Sequence, residues 1–98
     1  MTDKEFAVYM KSFHTGRRRS ISSKQLELKF GVKSSQIRKV VNRFRIGGTP
    51  ICSYEFSYFY AETQAELEET VLQLRSRMKK IGAAEQGLSK TLYQKTTY

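Results

Sequence analysis

The side chains best suited to chemistry lie between Lys33 and Arg45. Gln36, Arg38, Lys39, Asn42, Arg43 and Arg45 are interleaved with Ile37, Val40, Val41 and Phe44, and Lys33, Ser34 and Ser35 precede them. The apolar set recurs at the spacing of one helix face, so the polar set falls on the opposite face, and it contains no acidic residue. A merely solvated face usually mixes both signs, whereas a face of one sign suits an anionic surface. Arg17, Arg18 and Arg19 add three adjacent guanidiniums, able to hold phosphates without reading sequence.

Charge over the whole chain agrees. The net charge is +9 in 98 residues, and the first fifty residues carry twelve basic side chains against Asp3, Glu5 and Glu27, while the remainder carry six of each sign. All of the excess sits in the half of the chain that holds the candidate face, and nucleic acid is the commonest partner for such polarity. Other chemistries fare worse. Cys52 and His14 are the single cysteine and histidine, which excludes a disulfide framework and a multi-histidine metal site. As a catalytic pair they lack a third group to orient the base, and packing for Cys52 with a surface place for His14 is the simpler reading. Gly47-Gly48 lacks the spacing and the following Lys-Ser or Lys-Thr of a phosphate loop. No carboxylate cluster stands near the basic face to hold nuclease metals. The expectation is a protein without enzymatic activity, metal or cofactor. No apolar run reaches the ~18 residues of a membrane span, and Met1 to Glu5 lack a secretory layout, so a soluble, cytoplasmic protein is expected.

The elements that must carry these residues follow from local signals. Thr2 can cap a first helix with Phe6, Tyr9, Met10 and Phe13 on one face, ended by Gly16. The Arg17–Arg19 loop leads to a short edge strand at Ser20 to Ser22. Ser22 or Ser23 can cap a second helix through Phe30, Gly31 makes a turn, and Ser34 or Ser35 can cap a third helix to about Arg45. After Gly47 to Pro50, residues 51–60 read as a β-hairpin with Tyr54-Glu55-Phe56 at its tip and Tyr54, Phe56, Tyr58 and Tyr60 alternating onto one face. Thr63 with Glu66 forms a capping box for a fourth helix running at least to Ile81.

Leu26, Phe30-Gly31-Val32-Lys33-Ser34 and Ile37-Arg38-Lys39-Val40-Val41-Asn42, followed by Gly48-Thr49-Pro50-Ile51, Ser57-Tyr58-Phe59-Tyr60-Ala61, Glu66 to Thr70 and Leu74 to Arg77, resemble the small winged-helix DNA-binding proteins of bacteriophages and mobile elements. Two places depart from that pattern: Glu27 stands where the family has alanine, and the wing tip carries an acid and two aromatics. The resemblance implies a mainly α fold with a small β-hairpin, a winged helix-turn-helix with an added C-terminal helix. It divides into residues 1–61 as the DNA-binding domain, 62–92 as the C-terminal helix and 93–98 as a frayed tail. It further implies a phage-type regulator of transcription or replication whose third helix enters the major groove of double-stranded DNA. Ser35, Gln36, Arg38 and Lys39, in the first turns of that helix, are then the candidates for base edges. Arg17, Arg18, Arg19, Lys33, Arg43 and Arg45 are the candidates for phosphates.

Along the fourth helix Leu67, Val71, Leu74, Met78 and Ile81 are spaced four, three, four, three, a heptad seam. The same seam could pack on its own domain. Acidic residues Glu62 to Glu69 at one end and Arg75 to Lys80 at the other favour an antiparallel homodimer, with acid set against base. Two rival readings use the same elements: a module that binds a host protein through the acidic, aromatic wing tip, and an RNA- or single-strand-binding domain that uses the basic face.

Overall fold

The computed structural model describes residues 1–93. Helix α1 (Asp3–Phe13) begins at Thr2, whose hydroxyl accepts from the Glu5 N–H at 3.1 Å, and it buries Phe6 and Met10. Phe13, expected on the same face, is exposed because the helix ends there; its ring lies against Tyr9. Arg17–Arg19 form a 3-10 turn rather than an open loop. Strand β1 (Ile21–Ser22) follows, and Ser22 caps α2 (Ser23–Phe30) in a reciprocal box with Gln25.

Gly31 closes α2 in the left-handed conformation at φ 64°, where its N–H bonds back to Glu27. That conformation is inexpensive only for a residue without Cβ, so this position positions the next helix. Helix α3 (Ser34–Ile46) starts one residue earlier than its serines suggest: Lys33 is the N-cap, and the missing side-chain cap is offset by the Gln36 carbonyl oxygen, which accepts the Lys33 N–H at 3.0 Å. Ile37, Val40 and Val41 turn inward and join Phe6, Met10, Ile21, Leu26 and Ile51 in one core. Phe6 is its centre, stacked on Phe44 at 5.9 Å and tilted against Phe30 at 6.1 Å.

The hairpin of β2 (Ile51–Tyr54) and β3 (Ser57–Tyr60) is joined by β1 to make a three-stranded antiparallel sheet in the order β1-β3-β2. Register decides which aromatics meet the core. Ile51 pairs with Tyr60 and Ser53 with Tyr58, while Cys52 pairs with Phe59 and Tyr54 with Ser57. Directly paired residues share a face, so Tyr58 and Tyr60 face the helices, and Tyr54 lies on the other face with Cys52 and Phe59. The expectation of four aromatics on one face is corrected here: the two-residue turn at Glu55-Phe56 breaks the alternation. Glu55 occupies a left-handed φ of 56°, and the Phe56 carbonyl accepts the Ser23 N–H at 3.0 Å, hooking the hairpin tip to the start of α2.

Helix α4 (Gln64–Tyr93) opens with the Thr63–Glu66 box, each side chain accepting the other's backbone N–H. Its early turns cover the β2 edge: the Thr70 hydroxyl accepts the Ser53 N–H at 3.4 Å and Cys52 Sγ meets the Glu66 carbonyl at 3.7 Å. It then continues well past Ile81, through Gly82 and Gly87, as one 30-residue helix. At 1.5 Å per residue such a helix is about 45 Å long. This length accounts for the 57 × 31 × 22 Å extents, and for a radius of gyration of 17.1 Å against roughly 13 Å for a compact chain of this size. The expected tail at 93–98 lies outside the described residues except for Tyr93, which closes α4. Among the described residues the architecture is therefore mainly helical, four α-helices with one small antiparallel sheet, in an element order compatible with a winged helix. Among the described residues no helix is long and apolar enough to cross a membrane.

Candidate nucleic-acid interface

Burying Ile37, Val40 and Val41 fixes the rotation of α3, and with it the direction of every polar residue on the helix. Ser35, Lys39 and Asn42 form the ridge opposite the core, and all three are exposed. Expectation from the sequence omits Asn42 from the residues that meet bases, because it lies a turn beyond the helix start; helical spacing sets it beside Lys39 on the same ridge. Gln36 and Arg43 occupy the flank toward α1. Gln36 has a structural task there, since its carbonyl oxygen accepts the Lys33 N–H, although the residue is exposed. Arg43 donates to both oxygens of Asp3, at 3.1 and 2.8 Å. Both partners are half exposed, and an ion pair this open to solvent is weak and screened by salt, so the guanidinium can exchange Asp3 for another anion. The hydrogen bond from Arg43 holds the Asp3 carboxyl below its ordinary range.

The other flank of α3 faces the hairpin. Arg45 is half-buried there, donating through Nε to the Ile51 carbonyl at 2.8 Å and through Nη2 to the Ser53 hydroxyl at 3.1 Å. Burial pulls its pKa down, as does the charge of Arg77 nearby. Ser34 and Arg38 share this flank, and both line the cleft between α3 and the hairpin. Lys33, before the first turn, is exposed.

The three consecutive arginines separate into two kinds. Arg18 and Arg19 are exposed. Arg17 is committed inward: its guanidinium pairs with Glu69 and lies 4.1 Å from the Tyr54 ring centroid, and its backbone N–H donates to Glu66 at 2.9 Å. It ties the 3-10 turn to α4 and to the foot of the hairpin tip. Glu66 accepts further N–H groups from Glu62 and Thr63, and this set of donors, Arg17 first, depresses its carboxyl pKa. His14 is half-buried rather than on the surface, its Nδ1 donating to the Arg19 carbonyl at 2.7 Å and its ring edge-on to Tyr9. Cys52 is fully buried, and burial raises its thiol pKa, the reverse of what a nucleophilic thiolate requires. Among the described residues no group of His, Cys, Asp and Glu is arranged to hold a metal ion.

At the hairpin tip Phe56 is 87% exposed and Tyr54 39%. Along α4, Leu67, Val71 and Leu74 are each 37–38% exposed, and Met78, Ile81 and Leu88 about twice that. The seam thus half-covers the body near Pro50 and then runs on uncovered. Comparison of the chain with protein-family models, with curated proteins and with solved structures found no match.

Proposed function

We propose that the chain is a sequence-specific double-stranded DNA-binding protein of winged-helix form, a regulator of phage-type transcription or replication, with α3 as the helix that enters the major groove. The observation that carries this reading is the outward surface of α3. Ser35, Gln36, Lys39 and Asn42 are exposed, the flanks are arginine, and the only acid paired with any of them among the described residues is the half-exposed Asp3. A helix of this width fits the major groove, where Gln or Asn reads adenine and Lys or Arg reads guanine. Arg18, Arg19, Lys33 and Arg43 hold phosphates to either side and set the register. Arg17 acts as an internal tie, and Arg45 braces β2.

Two copies bind together. The uncovered seam of α4 calls for a partner of the same kind, because an antiparallel second copy that sets Val71 against Leu74 also sets Glu68 against Arg75 at both ends of the overlap. A two-fold pair presents two α3 helices to an inverted-repeat site. The exposed Phe56 favours a second reading, in which the hairpin tip docks on a host protein.

Selection of bound sequences from a random duplex library tests the first reading. Enrichment of one motif is expected, with Lys39→Ala losing ~1–3 kcal/mol of discrimination against scrambled duplex and Arg18→Ala weakening both duplexes equally. Retention of random sequences in unchanged proportions would reject it.

A further inference from the structure

The cleft between α3 and the hairpin, about 280 Å³ in volume, gathers three arginines from two elements: Arg38 and Arg45 of α3, and Arg77 of α4. Ser34, Ser53 and Tyr58 add hydroxyls to its wall, and Glu55 at the hairpin turn is the single acid on its lining. Among the described residues no carboxylate lies within ion-pair distance of any of the three guanidiniums; the two ion pairs belong to Arg17 and Arg43. Arg45 is also half-buried, with Nε and Nη2 donating to Ile51 and Ser53, so its charge is held in place without being neutralised. Like charges brought together in a partly desolvated place repel, and an anion in the cleft relieves that cost. Forked guanidiniums with hydroxyl donors beside them match the several non-bridging oxygens of a phosphate, and Glu55, the one carboxylate on the lining, pairs with none of the three. The position of Arg77 is also informative. On sequence it is one of several cations in the later turns of a helix, where the macrodipole alone would account for it, yet the fold carries it across to α3.

We propose that this cleft grips one backbone phosphate of duplex DNA, with Arg77 and Arg38 meeting its non-bridging oxygens and Arg45 supporting them from behind. The proposal rests on the DNA-binding reading above and adds to it a contact from α4, so that the long helix fixes how α3 sits in the groove. It also assigns Arg38 to the backbone rather than to a base edge.

Duplex affinity of the full-length chain, measured over a range of salt for wild type, Arg77→Ala, Arg77→Lys and Lys90→Ala, tests it. Arg77 is exposed, so its removal leaves the fold intact. Loss of one phosphate contact is expected to weaken preferred and scrambled duplexes alike by about tenfold and to reduce the slope of log affinity on log salt by about 0.9. Arg77→Lys should restore most of that slope, and Lys90→Ala should match wild type. Ethylating one particular phosphate per half-site should impair wild type but cost Arg77→Ala nothing further. Wild-type affinity and slope in Arg77→Ala would overturn the cleft assignment and leave the DNA reading standing. Failure of the wild type to bind any duplex at low salt would overturn both. An effect of Arg77→Ala confined to titrated inorganic phosphate would make this a free-anion site and reject the duplex assignment.

Discussion

Helices α3 and α4 are both amphipathic, and the fold treats them in opposite ways. The core-facing side of α3 is consumed: Ile37, Val40 and Val41 are at most 4% exposed, and what remains outside, apart from Ile46 in the last turn at 79% exposed, is polar with charges of one sign. The apolar seam of α4 is left open, with Met78, Ile81 and Leu88 near 70% exposed, while its charges pass from an acidic block at Glu66 to Glu69 to a basic one at Arg75 to Lys80. Unneutralised charge on a firmly seated helix points to a polyanion. Uncovered apolar surface bordered by self-complementary charge points to another copy of the same helix. On the proposed reading, the two recognition tasks fall on two helices, and Arg77 is where they meet.

The sharpest way to break this contrast is to cut one aliphatic side chain from each helix. Ile37→Ala removes a fully buried side chain and should cost about 2–5 kcal/mol of unfolding free energy. Ile81→Ala removes an exposed one and should leave the stability of the dilute monomer unchanged while weakening self-association. Chemical denaturation at two protein concentrations reads both. Equal losses at low concentration would mean that the α4 seam packs on its own chain.

Next in size is Leu74→Glu, which places a carboxylate inside the expected helix pair. Sedimentation should find wild type as a dimer and the variant as a monomer with unchanged helix content. A wild type that remains monomeric at high micromolar concentration, both free and on its DNA site, would remove the second half of the comparison.

A smaller effect concerns the tie that anchors the start of α4. The Arg17, Glu62 and Thr63 N–H groups depress the Glu66 carboxyl. Its folded pKa therefore lies below its unfolded value of about 4.3, so its contribution to stability is complete above that pH and is lost as the pH falls through the folded pKa. Glu66→Gln should be less stable than wild type at pH 6, and the gap should narrow on acidification toward pH 3. A gap constant with pH would mean that the carboxylate charge contributes nothing to this anchor.

Much of this organisation is legible in the chain because its signals are local. Thr2, the Ser22–Gln25 box, Gly31 and the Thr63–Glu66 box all act within four residues, and the apolar spacing of α3 sets its outward face without reference to anything distant. What was not legible depends on contacts across the fold. Arg17 looks identical to Arg18 and Arg19 until Glu66 and Glu69, about fifty positions on, are brought beside it. Arg77 looks like a helix-dipole cation until α4 crosses to Arg45. Tyr54 parts from Tyr58 and Tyr60 because the turn at Glu55 and Phe56 takes up two residues, which strand alternation alone does not reveal. The length of α4, by contrast, agrees with the expected helix over 62–92: Gly82 and Gly87 each cost about 1 kcal/mol in a helix interior, yet the helix runs through both to Tyr93.

The central claim, that the one-signed surface around α3 binds the backbone and grooves of duplex DNA, is tested most directly by duplex affinity as a function of salt. With ~4–6 phosphates neutralised per subunit, log affinity should fall against log salt with a slope of about −4 to −5, for preferred and scrambled duplexes alike, the preferred one remaining tighter throughout. A flat salt response, or no duplex binding at low salt, would contradict it.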